Sequence, residues 1–112
     1  MLKTERIDDV YVVSIEGSNR LNALISESVK EELVGFFNKP NTKLVMNLEG
    51  IEFIDSSGFA AFLSTLKTAN NNYGTFKICN VTPSVMELFK MLQLHNVFEI
   101  YSNLNDCLKS IS

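Results

Sequence analysis

The chain has 112 residues, of which 46% are hydrophobic (methionine and cysteine included) and 21% charged, with a formal net charge of −3. That length supports one core rather than two, and the apolar share excludes a disordered chain. Acidic and basic residues are interspersed, without the basic cluster of a nucleic-acid footprint. The longest apolar runs are far too short for a membrane span, and the opening MLKTERIDDV lacks the apolar segment of a signal peptide. The expectation is a single cytoplasmic domain over residues 1–112, with no nucleic-acid partner and no direct membrane insertion.

Leu2 to Ile7 and Val10 to Glu16 read as two strands around the turn pair Asp8-Asp9. In the second strand, alternation places Val10, Val12 and Ser14 on one face and Tyr11, Val13 and Ile15 on the other. Gly17 to Asn22, GSNRLN, is a loop by composition. Ile25, Val29, Leu33 and Phe36 recur at helical spacing, with Ser26, Glu27, Lys30 and Glu31 facing outward and Asn22 or Ser26 as the cap. That helix ends before Asn38-Lys39-Pro40-Asn41, since the residue before proline avoids the helical region.

Lys43 to Leu48 is an apolar run of strand length, near-continuous as in a strand covered on both faces. Ile51, Phe53 and Ile54 return the chain to the core before Asp55-Ser56-Ser57-Gly58. From Phe59 the period turns helical, with Phe59, Phe62, Leu63 and Leu66 on one stripe, so Phe59 and Phe62 read as core residues. Asn70-Asn71-Asn72-Tyr73-Gly74 closes this helix, and Thr75 to Cys79 is another short strand. Thr82-Pro83 opens a third helix with threonine at the cap and proline at the first helical position, and its stripe is Val85, Leu88, Phe89 and Leu92. Val97 to Tyr101 is strand-like, and Ser102 or Asn103 caps a last helix with the stripe Leu104, Cys107, Leu108 and Ile111. The order β-β-α-β-α-β-α-β-α describes a mixed sheet with helices packed against it.

Asp55, Ser56 and Ser57 are the residue types whose oxygens accept the first free N–H groups of a helix. A carboxylate and two hydroxyls thus meet at the positive end of a helix dipole. One reading is capping alone. The other is a phosphorylation switch, in which about −1.5 to −2 charges are tolerated by the helix start but repel a partner when placed in an interface beside Asp55. Catalysis is not expected. The single histidine, His95, lies in a helix–strand connection; Ser56 has no identifiable base; and Gly58 stands alone rather than in a phosphate-cradling loop. Cys79 and Cys107 read as buried free thiols, too few and too distant with His95 for a zinc site, and no cofactor is expected.

The segment NLEGIEFIDSSGFAAFL resembles the signature of STAS domains, particularly the bacterial anti-sigma-factor antagonists. The likeness runs through the chain: the N-terminal hairpin, the Gly17 loop, the Thr82-Pro83 helix start and the Leu88-Phe89 pair follow the family's order. The resemblance implies an α/β STAS fold, a mixed sheet of about five strands with about four helices against it. It also implies a partner switch. The unphosphorylated antagonist would bind an anti-sigma factor that is also a serine kinase and so release a sigma factor. The kinase, using ATP and Mg²⁺, would phosphorylate Ser56, with Ser57 the alternative acceptor, and a PP2C-type phosphatase would reset it. Asp55 would position the serine, Gly58 would admit the partner's backbone, and the partner surface would comprise Asn19, Arg20, Asn22, Asp55, Ser56, Ser57, Gly58 and Phe59. Many family members carry Gly-x-x-Asp in the loop before the first helix; here Gly17-Ser18-Asn19-Arg20-Leu21-Asn22 has an asparagine, shifted along the loop, in place of the acid. The alternative within the resemblance is a non-switching interaction subunit of a lipid-transport ATPase or a signalling scaffold.

Overall fold

A computed structural model describes residues 2–111. Strands β1 (Leu2–Ile7) and β2 (Val10–Ile15) form the antiparallel hairpin around Asp8-Asp9, with Ile7 opposite Val10. β3 is Arg20–Leu21, and α1 (Ala23–Gly35) continues into a 3-10 turn at Phe36–Asn38. β4 (Lys43–Asn47), β5 (Phe53–Ile54), α2 (Ser56–Asn71), β6 (Thr75–Cys79), α3 (Pro83–Met91), β7 (Ile100–Tyr101) and α4 (Leu104–Ile111) follow. The main sheet has five strands in the order β1-β2-β4-β6-β7, parallel from β2 onward.

Because the parallel strands lie across the sheet in chain order, right-handed crossovers put α1, α2 and α3 on one face. The core confirms it. Val29 and Leu33 of α1, Phe59 and Phe62 of α2, and Val85 and Phe89 of α3 are buried in one cluster with Val13, Leu44, Met46, Phe76 and Ile78. The other strand face belongs to α4: Val10, Val12, Val45 and Cys79 pack with Cys107. The alternation expected for β2 is therefore observed, and both thiols are buried and unbridged. The neighbouring Cys107 thiol chiefly, and then burial, push the Cys79 thiol up.

Lys77 is the one lysine buried among the described residues, on the α4 face. Its ammonium is satisfied by Ser110 Oγ at 3.0 Å, Tyr101 Oη at 3.3 Å and Glu99 at 3.5 Å. Five phenylalanines tie the helical layer together. Phe59 meets Phe89 edge-on at 4.9 Å, and Phe98 lies within 6.5 Å of Phe62, Phe76 and Phe89. Dispersion and quadrupole contacts of this kind add to their area burial.

The structure departs from the sequence reading in several places. Gly17 to Asn22 is not all loop: Arg20 and Leu21 pair in parallel with Phe53 and Ile54 as a separate two-stranded ladder, and Leu21 is fully buried. Asn19 O accepts Glu52 N–H at 2.7 Å and Leu21 O accepts Asp55 N–H at 3.1 Å, extending the pairing to the threshold of α2. Ser26 does not face outward but is buried, its hydroxyl donating to Asn22 O at 2.6 Å. Asn22, not Ser26, caps α1 by accepting Leu24 N–H at 3.0 Å. Leu92 lies past the last turn of α3 and is 51% exposed, so the stripe ends at Phe89. Only Ile100 and Tyr101 of the expected Val97–Tyr101 strand pair with β6; Phe98 reaches the core from irregular backbone and Val97 is exposed. Asn103 rather than Ser102 caps α4, accepting Asp106 N–H at 2.8 Å.

The short ladder has a direct test. Leu21→Ala removes a fully buried side chain from it and should cost about 2–5 kcal/mol, whereas Leu24→Ala, at a position 91% exposed three residues on, should stay within about 0.5 kcal/mol of the parent. Urea unfolding of the two variants measures the difference; equal losses would mean that β3 is a surface loop.

Candidate functional site

The site is built where three chain segments meet: the β3–α1 junction, the β5–α2 junction and the end of α3. Asp55 is the N-cap of α2. Its Oδ1 accepts Ser57 N–H at 3.0 Å and Gly58 N–H at 3.2 Å, together with a very short hydrogen bond from the Ser57 hydroxyl. Its Oδ2 accepts Ala23 N–H at 3.0 Å, from the first residue of α1. One carboxylate therefore caps α2 and also accepts the first N–H of α1, whose own cap is Asn22. The Ser57 hydroxyl chiefly, and then the backbone donors of Gly58, Ser57 and Ala23, hold the Asp55 carboxyl below its ordinary 3.8 against an opposing desolvation effect.

The two serines differ sharply. Ser57 is half-buried; its Oγ contacts both Asp55 and, at 2.9 Å, Ser26 Oγ. Ser26 already donates to Asn22 O, so the single Ser57 proton is drawn to the carboxylate, the stronger acceptor. Ser56, at the first position of α2, is exposed, and its hydroxyl makes no hydrogen bond with any described residue. Of the paired hydroxyls, one is locked and one is free. Neither contacts an imidazole: His95 is exposed in the connection after α3.

Gly58 and Phe59 lie beneath this surface. A Cβ on Gly58 would stand 2.6 Å from Ile54 Cγ2 and 2.9 Å from Leu21 Cγ, so the close approach that requires glycine is to the β3–β5 ladder within the chain. Phe59 is 3% exposed and packs on Phe89. Asn19, Arg20 and Ser56 are exposed, and Asn22 and Asp55 are half-buried.

Around Ser56 the surface is apolar. Phe53, Met91 and Leu92 are exposed large hydrophobics, and with Ile54, Ser56 and Leu88 they line a groove of about 270 Å³ between the start of α2 and the end of α3. Leu63 continues the patch along α2, sharing the exposed face with Ser56 and Ala60, and Leu24 stands beside the Ala23–Asp55 contact. Sequence periodicity had assigned Leu63 and Leu92 to the core, and it did not reveal the groove. The available signal was an apolar stripe wider than α2 and α3 can bury.

The sequence profile of the STAS domain matches residues 1–107. The chain belongs to the STAS domain family. It is 35% identical over 60 residues to the anti-sigma F factor antagonist of Paenibacillus polymyxa, across 54% of this chain and about half, 51%, of that protein. Its fold is similar to that of an anti-sigma-factor antagonist (STAS) domain protein from Planctomyces limnophilus, with a TM-score of 0.89 at 22% identity over 99% of this chain and 97% of the other. It is similar also to the anti-sigma-factor antagonist SpoIIAA in its unphosphorylated form, with a TM-score of 0.79 at 18% identity over 99% and 96% of the two chains. The mixed five-stranded sheet and four helices are thus the STAS architecture that the resemblance implied.

Two predictions follow from the geometry of the STAS signature. Since the Asp55 carboxyl titrates lower in the folded than in the unfolded chain, its contribution to stability is complete above 3.8 and is lost as pH falls through the folded value. Thermal melts of the parent and Asp55→Asn should therefore differ at about pH 7 and converge as pH falls below 3.8; a gap independent of pH would show that the charge is immaterial. At Gly58, alanine gains about 1 kcal/mol of helix propensity but overpacks the ladder at a cost of about 1–3 kcal/mol. Gly58→Ala should be destabilised in urea, and a more stable variant would refute the tight contact with Leu21 and Ile54.

Proposed function

We propose that the chain is an anti-sigma-factor antagonist that works by partner switching. In its unphosphorylated form it binds an anti-sigma factor that is also a serine kinase, so that a sigma factor is released. Phosphorylation of Ser56 by that kinase, with ATP and Mg²⁺, ends the binding, and a PP2C-type phosphatase restores it. The chain acts as a binding protein in the cytoplasm rather than as a catalyst. The observation that carries this reading is the free, exposed Ser56 hydroxyl on the rim of an apolar groove. The names of the relatives, and the solution of SpoIIAA in both unphosphorylated and phosphorylated forms, point the same way.

The physics of such a switch is local. An acceptor serine must present its hydroxyl to a kinase, which Ser56 does and Ser57, committed to Asp55, does not. A phosphoryl group at Ser56 gains from the helix dipole, but the first-turn donors of Ser57 and Gly58 are already taken by Asp55. The new dianion would stand in solvent beside another carboxylate and over apolar surface. That is harmless to a free domain, but burying it unpaired under a partner costs several kcal/mol. The partner surface comprises Asn19, Arg20, Asn22, Asp55, Ser56 and Ser57, shaped from below by Gly58 and Phe59.

Incubation in lysate of the source organism with Mg-ATP, followed by peptide mass spectrometry, tests the assignment. A single phosphoryl group is expected on Ser56, retained in Ser57→Ala and missing from Ser56→Ala. Ser56→Asp should lose partner binding that Ser56→Ala keeps. An unmodified chain in a lysate with active serine kinases, or a Ser56→Asp variant that still binds, would favour a constitutive interaction module.

A further inference from the structure

Arg20 occupies a distinctive place at this surface. Its backbone is fixed by pairing with Phe53 across the β3–β5 ladder, and by Ser18 Oγ, which donates to Arg20 O at 2.9 Å and accepts Arg20 N–H at 3.2 Å. Its guanidinium lies over the Phe53 ring, 5.3 Å from the centroid, and Phe53 is itself a wall of the apolar groove. The cation is thus held at the groove's edge by stacking on a residue that lines it.

No acid among the described residues neutralises it. The two carboxylates flanking Phe53 in sequence are both turned elsewhere: Glu52 receives the Ser84 hydroxyl at 3.3 Å, on the α3 side, and Asp55 is saturated by Ser57, Gly58 and Ala23. Arg20 forms no ion pair with any described residue, whereas Lys30, Lys43 and Lys77 each have an acidic partner. A stacked, planar, unpaired guanidinium beside an apolar cleft is a ready receiver for a carboxylate, and arginine and aromatic side chains are the residues that dominate interface energetics.

We propose that Arg20 is the specificity-determining cation of the docking face. It receives a carboxylate of the anti-sigma factor while an apolar side chain next to that carboxylate enters the groove between Phe53 and Leu92. This rests on the partner-switch reading above and adds the chemistry of the partner: an apolar anchor flanked by an acid. Stacking on Phe53 makes the geometry particular to arginine, so lysine at this position is a partial substitute at best.

The test uses the anti-sigma-factor kinases of the source genome, purified singly, as probes in binding titrations against the full chain. Arg20→Glu should weaken the complex by about 30-fold or more, the size of an interface hot spot. Arg20→Gln, which keeps the polar stem and removes only the charge, should weaken it in the same direction and flatten its dependence on salt between about 50 and about 300 mM NaCl. Arg20→Lys should fall between parent and Arg20→Gln, and exchanging the partner's acid for arginine should restore binding to Arg20→Glu. A melting temperature unchanged in Arg20→Gln separates these losses from misfolding. Binding of Arg20→Glu and Arg20→Gln within about two-fold of the parent, with the same salt dependence, would overturn the role of Arg20 while leaving the partner switch standing. Failure of the parent chain to bind any of the kinases would overturn both.

Discussion

The Asp55 carboxylate ties the start of α2 to the start of α1, beside the β3–β5 ladder and the Ser57–Ser26 contact that join the same segments. Its two oxygens receive donors from the first turn of α2 and from the first residue of α1, while its own N–H is held by Leu21 O of β3. Helix starts have unsatisfied donors by construction, and most proteins meet that need one helix at a time. Here a single ionised side chain caps α2 and also takes the first donor of α1, Ala23 N–H, beside the Asn22 cap of that helix. An amide in its place would keep the shape but present an N–H₂ to one set of donors. The charge is integral to the arrangement, and the lowered titration of the carboxyl is its signature.

What the sequence disclosed, it disclosed through periodicity and caps. The hairpin, the buried strands β4 and β6, the Thr82-Pro83 helix start and the α4 stripe depend on residues close together in the chain, and local patterns report them faithfully. The features that escaped are those decided by distant partners. Two residues cannot display a strand period, so β3 is visible only once β5 is beside it. Ser26 has the polarity of an outward residue, yet it is buried because Ser57, 31 residues away, comes to rest against its hydroxyl. Leu92 and Leu63 continue apolar stripes beyond what the sheet can cover. The candidate site was legible as a set of residues in Asp55-Ser56-Ser57-Gly58. It was not legible as a surface, because the groove is closed by α3, some 30 residues further on, as the Thr82–Ile51 hydrogen bond at a separation of 31 illustrates.

Adjacent serines with equal chemistry in the unfolded chain become unequal in the fold. Ser57 acts as a structural donor, its proton taken by Asp55 and its oxygen resting against Ser26. Ser56 has no such engagement. The difference is set by helix geometry: successive residues of a first turn point about 100° apart, so one hydroxyl faces back over the cap and the next faces solvent. For the proposed phosphorylation, selection of an acceptor between these two neighbours would need no recognition of sequence by an enzyme. It would need only that the fold has already used one of them.

The same geometry separates stability from recognition. The core cluster under α2, from Gly58 and Phe59 to Leu21 and Ile54, is packed tightly enough that a methyl group has no room, and Ser56 contributes nothing to it. A charge added at Ser56 therefore leaves the packed core untouched while changing the exposed surface beside the groove. That surface is apolar at the groove and cationic at Arg20, and the two features make opposite demands on a dianion. In the free domain, a phosphate at Ser56 would stay hydrated and its charge would be screened by salt. Under a docked partner, with water expelled, the phosphate would confront the partner's own carboxylate next to Arg20. Under the proposed switch, repulsion from that carboxylate, added to the cost of drying the phosphate over Phe53 and Leu92, would make the modified face hostile to the proposed partner.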